Sequence, residues 1–189
     1  MPWIRIALIS AGFCLLLVLP WLQTQLQSEK WYGLKRQISV PALPLHFDDP
    51  NGLHILLFGY LSCTQACPPQ LIKMHQLAQV SKDLPIYFTF ISLDPERDTQ
   101  DLLAEGIPNL GKNFYFIRPE STQAAQNLAL AYTEIATKVY QGKDYEFNHK
   151  ASLFIVSAQA KIELIYPYTD LNIDRVLQDI RLLLNSLKS

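Results

Sequence analysis

Three cysteines, seven glycines and no block of like charge mark this 189-residue chain as much by shortage as by content. Its 16 Lys and Arg stand against 17 Asp and Glu. No basic stripe or acidic tail stands out, so nucleic-acid binding has no electrostatic support. The chain shows no phosphate loop, no nucleophile elbow, no paired-histidine helix and no repeat. A structural zinc site wants four ligands, usually in two pairs. Only one cysteine pair exists here, because Cys14 stands far from Cys63 and Cys67 in an apolar run. The chemistry of the chain therefore gathers on two thiols with three residues between them.

The apolar run extends from Ile6 to Leu22, with Arg5 before it and Gln23, Gln25 and Gln27 after it. About 17 to 25 such residues can cross a bilayer as a helix, so residues 1–25 read as an N-terminal membrane anchor. A cleaved signal segment is the rival reading, but Pro20-Trp-Leu-Gln-Thr-Gln25 offers no convincing small-x-small site. Arg5 and the free amine favour a cytoplasmic N-terminus, a bias that Lys30, Lys35 and Arg36 on the other side weaken. No Arg- and Ser-rich transit peptide precedes the run. The expectation is a single-pass protein of a bacterial inner membrane with its soluble domain in the periplasm, where thiols can oxidise.

Residues 26–45, with Pro41 and Pro44, read as a tether and lead-in, and residues 46–189 as one domain. Leu53–Phe58 suits a strand buried on both faces. The cysteine loop follows, then a helix opened by Pro69 whose inner side is Leu71, Met74, Leu77, Ala78 and Val80. Ile86–Leu93 and Phe114–Ile117 read as strands, with a short helix after Asp94–Thr99 between them. Ser121 or Thr122 caps a helix to about Tyr132. Glu134–Tyr140 and Ala151–Val156 read as strands around a polar excursion, and Lys161–Ile165 pairs with the latter as a hairpin. Asn172 caps a last helix whose stripe is Val176, Leu177, Ile180, Leu183, Leu184 and Leu187. This order predicts an α/β fold, a thioredoxin-like mixed sheet flanked by helices and preceded by one transmembrane helix.

Pro68 biases Cys67 away from helical geometry, so the helix is expected to begin after it. Cys67 would then lie beside the positive end of the helix dipole, which favours a thiolate. The pair suits a reversible disulfide, and equally two soft ligands for Cu(I). Four histidines compete for a third ligand position: His46, His54, His75 and His149. His149 is set apart because it precedes a strand expected beside the one feeding the cysteine loop. Geometry alone leaves the choice open. For Asp94–Thr99 the plain reading is capping by Asp98 or Thr99 and pairing of Arg97 with a carboxylate.

Phe58-Gly-Tyr with Cys63-x-x-x-Cys67-Pro68, then Ile91-Ser-Leu-Asp-Pro-Glu-Arg-Asp-Thr99, then Asp144-Tyr before His149, together resemble the SCO/SenC family. The resemblance covers about residues 40–185. It implies a membrane-anchored, thioredoxin-like copper protein with Cys63, Cys67 and His149 as metal ligands. It also implies Cu(I) as the favoured ion with Cu(II) possible, and a role in assembling the copper centre of cytochrome c oxidase. The implied partner is the oxidase subunit that bears that centre, or another copper or thiol protein. The alternative is a thiol–disulfide oxidoreductase in which Cys63 and Cys67 form the catalytic redox pair. General thioredoxin-like reductants carry a proline in the loop facing the thiols, and Asn148-His149-Lys150 stands there instead. Three stretches depart from the family pattern: Thr64-Gln65-Ala66, Phe116-Ile-Arg-Pro119 and Ser157-Ala-Gln-Ala160.

Overall fold

The computed structural model describes Val18 and residues 31–187. The chain divides into residues 1–32 and a compact unit from Gly33 onward. The expected membrane anchor, residues 1–25, lies outside the described residues apart from Val18. No helix among the described residues is long and apolar enough to cross a membrane.

The compact unit is built on a six-stranded sheet. In chain order its strands are β1 (Leu34–Ser39), β2 (Leu53–Gly59), β3 (Ile86–Ser92), β4 (Phe114–Ile117), β7 (Leu153–Ser157) and β8 (Lys161–Tyr166). The helices are α1 (Cys67–Val80), α2 (Gln100–Gly106), α3 (Thr122–Ala131) and α4 (Ile173–Leu187). Strand order across the sheet is β1-β8-β7-β2-β3-β4. β2, β3 and β4 run parallel, while β7 lies antiparallel to both β2 and β8. This is the expected thioredoxin-like mixed sheet.

Burial explains the central strands. Every residue of β2, β3 and β7 is buried, as continuous apolar runs covered on both faces require. Each fully buried Leu, Ile or Phe contributes about 1.5–3 kcal/mol relative to exposure, so this layer is the rigid platform of the site. The last helix shows the predicted stripe, with Val176, Leu177, Ile180, Leu183 and Leu184 buried. The Asn172 side-chain oxygen accepts from Arg175 N at 3.1 Å. In α1 the inner side is Cys67, Gln70, Met74 and Leu77. Val80 is exposed instead, because Ser81 takes the inward place and its hydroxyl donates to Leu77 O at 2.6 Å.

Two elements differ from the expectation. Residues 34–39, read as tether, form an edge strand antiparallel to β8. Their alternation is weak, and their pairing comes from a partner strand far along the chain. The polar excursion is a second, two-stranded sheet, β5 (Thr137–Gln141) with β6 (Asp144–Asn148). Gly142, at φ +67° in the turn between them, supplies the left-handed residue a tight hairpin needs.

The turn joining β7 to β8 carries an alanine where backbone geometry favours glycine. Ala160 lies at φ +53°, a region costing an L-residue about 1–2 kcal/mol. An Ala160→Gly substitution is expected to raise stability by about 0.5–1 kcal/mol, the relief being partly offset by glycine's greater unfolded freedom. Urea denaturation checks it, and a loss of stability would show that the turn is unstrained.

Candidate metal centre

β2 ends at Gly59, and the chain turns through Tyr60–Ala66 into α1. Gly59 is required by close approach. A Cβ there would lie 2.8 Å from Cys67 Sγ and 2.9 Å from the Phe90 ring. Helix α1 begins at Cys67, one residue earlier than the Pro68 bias suggested. Cys67 N donates to Cys63 Sγ at 3.4 Å, so an orphan N–H of the helix start binds the first sulfur and draws the second residue into the helix.

Asp98 fastens this loop from just beyond the C-terminal end of the parallel neighbour β3. Its carboxylate accepts from Leu61 N at 3.1 Å and from the Ser92 hydroxyl at 2.7 Å. Burial holds its pKa above the ordinary carboxylate value. The reading of Asp94–Thr99 as caps and pairs is right for Thr99, whose Oγ1 accepts from Leu102 N at 3.3 Å. It is right also for Arg97, which pairs with a carboxylate, but it does not foresee how far that side chain reaches. Arg97 pairs with the fully buried Asp94, donates to Asp144 Oδ1 at 2.9 Å and Tyr145 O at 3.0 Å, and stacks 3.9 Å from the Tyr145 ring centre. It latches the β5–β6 hairpin to the sheet.

That hairpin delivers His149. Phe147 N donates to the Tyr60 hydroxyl at 3.3 Å, and the His149 ring lies 5.8 Å from the Tyr60 ring. Beyond His149 the backbone is pinned at three points. The buried Glu134 carboxylate accepts from Lys150 N at 2.7 Å and Ser152 N at 3.3 Å. Gln70 Nε2 donates to Ala151 O at 2.7 Å. Ala151 itself sits at φ +53°, a conformation these bonds hold in place. Glu134 was read as the start of a strand. That strand begins only at Thr137, after a left-handed Thr133 turns the chain.

The result is a compact group of three donors. His149 Nε2 lies 3.9 Å from Cys63 Sγ and 3.5 Å from Cys67 Sγ. All three donor atoms fall within 4.8 Å of one another, and the two thiols are free. The other histidines stand elsewhere. His46 pairs with Asp48, and His75 Nδ1 meets Leu110 O. His54 is buried with its ring nitrogens on the Thr89 hydroxyl and His46 O. Burial pushes its pKa down to about 4.

The two sulfurs are not equivalent, and the acidic one is the reverse of the sequence expectation. The hydrogen bond from the Cys67 thiol, followed by those from His149 and the backbone N–H groups of Cys67 and Gln65, pulls Cys63 down to about 3 against the opposing cost of burial. The same bond, with deeper burial, pushes Cys67 far up. The helix-end effect thus acts through Cys67 N on the sulfur of Cys63. Iodoacetamide should therefore alkylate Cys63 at a rate nearly flat from about pH 5 to 8, since a group with so low a pKa is already thiolate there. Peptide mass mapping checks this. A rate climbing with a midpoint near the ordinary thiol value, about 8.5, would contradict it.

The fold and motif order have counterparts among known proteins. The sequence profile of the SCO1/SenC family matches residues 48–185. An SCO2-like protein of Rickettsia typhi is 23% identical over 134 residues, which cover 68% of this chain and 65% of that protein. The chain thus spans just under two thirds of that relative's length. Among solved structures, copper-bound ScoI of Arabidopsis thaliana superposes with a TM-score of 0.59 at 21% identity, covering 73% of this chain and 85% of that one. BsSco, described as having a disulfide switch and as a member of the Sco family of cytochrome c oxidase assembly proteins, superposes with a TM-score of 0.61 at 19% identity. That match covers 80% of this chain and 98% of BsSco. The structural likenesses speak to the fold, and the profile match over most of the compact unit speaks to descent: this chain belongs to the SCO1/SenC family.

Proposed function

We propose that this protein is a copper metallochaperone in which Cys63, Cys67 and His149 hold one ion and pass it on by ligand exchange. The observation that carries this is the spacing of the three donors. Two sulfurs and a nitrogen sharing one ion at about 2.0–2.3 Å stand about 4 Å apart in a trigonal arrangement. The observed separations from His149 Nε2 are 3.5 and 3.9 Å. Two thiolates with one imidazole favour Cu(I). Three ligands leave one side of the ion open to an incoming donor.

Copper is the cargo, and the residues of the chain supply capture and release. Cys63, already a thiolate, is the first donor to engage. Cys67 must lose its proton as the ion arrives, so loading releases acid. The family's association with cytochrome c oxidase assembly supports the oxidase subunit bearing a copper centre as the recipient. The apolar run of residues 6–22 supports placement at a bacterial inner membrane with the compact unit in the periplasm.

A Cu(I) titration of the reduced full-length protein, in a Cys14→Ser background and against a competing chelator, tests the proposal. One tight equivalent is expected, weakened at least tenfold by either Cys63→Ser or His149→Ala. Undiminished affinity in the His149→Ala variant would sink the three-donor site. A second reading is favoured by the unequal thiols: an acidic Cys63 and a protonated Cys67 suit attack and resolution in disulfide exchange. Absence of competitive copper binding with both thiols free would move the assignment there.

A further inference from the structure

A cleft of about 310 Å³ opens beside the three donors. One wall is the cysteine loop, with Gln65, and the other is one face of the β5–β6 hairpin, with Val139, Gln141 and Glu146. Tyr60 also lines it. Val139 and Gln141 are two apart on β5, and Glu146 is the cross-strand partner of Val139. They share a face because strand side chains alternate. The Cys63 residue lines this cleft and Cys67 does not.

We infer that this cleft receives an extended, thiol-bearing peptide segment of the partner protein and leads its sulfur to Cys63. The inference rests on the metallochaperone reading and names the kind of segment that the site accepts. The cleft's charge argues against an anionic cofactor, since Glu146 is the sole formally charged side chain in its lining apart from the site's own Cys63 and His149. Gln65 and Gln141 face it from opposite walls, and each amide offers donors and an acceptor, the complement of a peptide group's N–H and C=O. Gln141 Nε2 is committed only to a long 3.4 Å contact with Glu146. Val139 and Tyr60 give the apolar floor for one small side chain. A space equal to about ten waters fits a few extended residues and is too small for a folded element.

The test uses thiol exchange as a position-sensitive probe and needs no copper. In a Cys14→Ser, Cys67→Ser background, the Cys63 thiolate attacks a symmetrical disulfide. One Cys63–probe disulfide forms, the probe's S–S bond breaks, and one probe thiolate leaves. Two probes share this leaving chemistry: the disulfide of acetyl-Ala-Ala-Cys-Ala-Ala-amide, and the disulfide of N-acetylcysteine methylamide, which lacks flanking residues. The pentapeptide is expected to react about tenfold faster, the size of one or two net hydrogen bonds. That advantage should fall to near unity in a Gln65→Ala, Gln141→Ala variant while the short probe's rate stays within about twofold. Equal rates for the two probes, an advantage that survives the double substitution, or an equal slowing of both probes would each overturn the inference. Intact copper binding together with equal rates would remove the cleft inference alone. A clear peptide advantage without copper binding would keep the cleft and overturn the metallochaperone reading.

Discussion

Substituting Glu134 by alanine is expected to cost about 3 kcal/mol of stability and to weaken copper binding at least tenfold, although Glu134 touches neither sulfur nor imidazole. Its buried carboxylate accepts the N–H groups of Lys150 and Ser152. Deleting it strands the buried Ser152 N–H and the part-buried Lys150 N–H, and a buried donor left unmade costs about 1–3 kcal/mol. The same loss frees the segment that sets His149, with left-handed Ala151 between the two anchored residues. Glu134→Gln keeps one acceptor and should recover part of both losses. Urea denaturation and the chelator competition read the two effects separately. If the alanine variant loses stability with unchanged copper affinity, Glu134 supports the fold and does not position the site.

The second large effect falls on Arg97. Arg97→Ala leaves the carboxylate of Asp94, a fully buried residue, with the Tyr145 hydroxyl at 2.8 Å as its remaining side-chain donor among the described residues. Breaking a buried pair from one side costs about 3–5 kcal/mol, and the partial exposure of Arg97 places the expected loss near the lower end. Arg97→Lys should rescue little, because an ammonium cannot reach Asp94, Asp144 and the Tyr145 carbonyl along three fixed directions while lying flat on a ring. Released from this latch, the hairpin lets His149 drift, so copper should stay bound through sulfur with reduced affinity. The His149 ring resonances of the metal-free protein give an independent readout. Unmoved ring resonances in Arg97→Lys would show that the hairpin is held by its other contacts alone.

The framework was readable in the sequence wherever burial wrote a pattern. The runs that became β2, β3 and β7 are continuous and apolar, and the α4 stripe repeats at helical period. What stayed hidden depends on partners distant in sequence. β1 has little pattern of its own and is recruited by β8. Asp144–Asn148 reads as a polar excursion although Tyr145 and Phe147 alternate with polar residues, because the run is only five residues long. Of the site, the Cys63–Cys67 spacing was plain, whereas local geometry left His149 one of four histidines until the order of motifs was considered. The pairing of Arg97 with a carboxylate was legible, but its hold on the hairpin and the role of Glu134 escaped for a common reason. Sequence shows a charged side chain's near neighbours, and only the folded chain shows these two bonded to backbone some 16 to 48 residues away. The difference between the thiols was also inverted, because the Cys67 thiol, followed by His149 and the Cys67 N–H, hydrogen-bonds to the sulfur of Cys63.

The most direct test of the three-donor site is X-ray absorption at the copper edge of the Cu(I)-loaded, Cys14→Ser full-length protein, beside its His149→Ala variant. The account predicts two sulfurs and one imidazole nitrogen around copper in the former, and loss of the imidazole with both sulfurs kept in the latter. An imidazole signal that persists without His149, or a shell of sulfur alone in the parent, would contradict it.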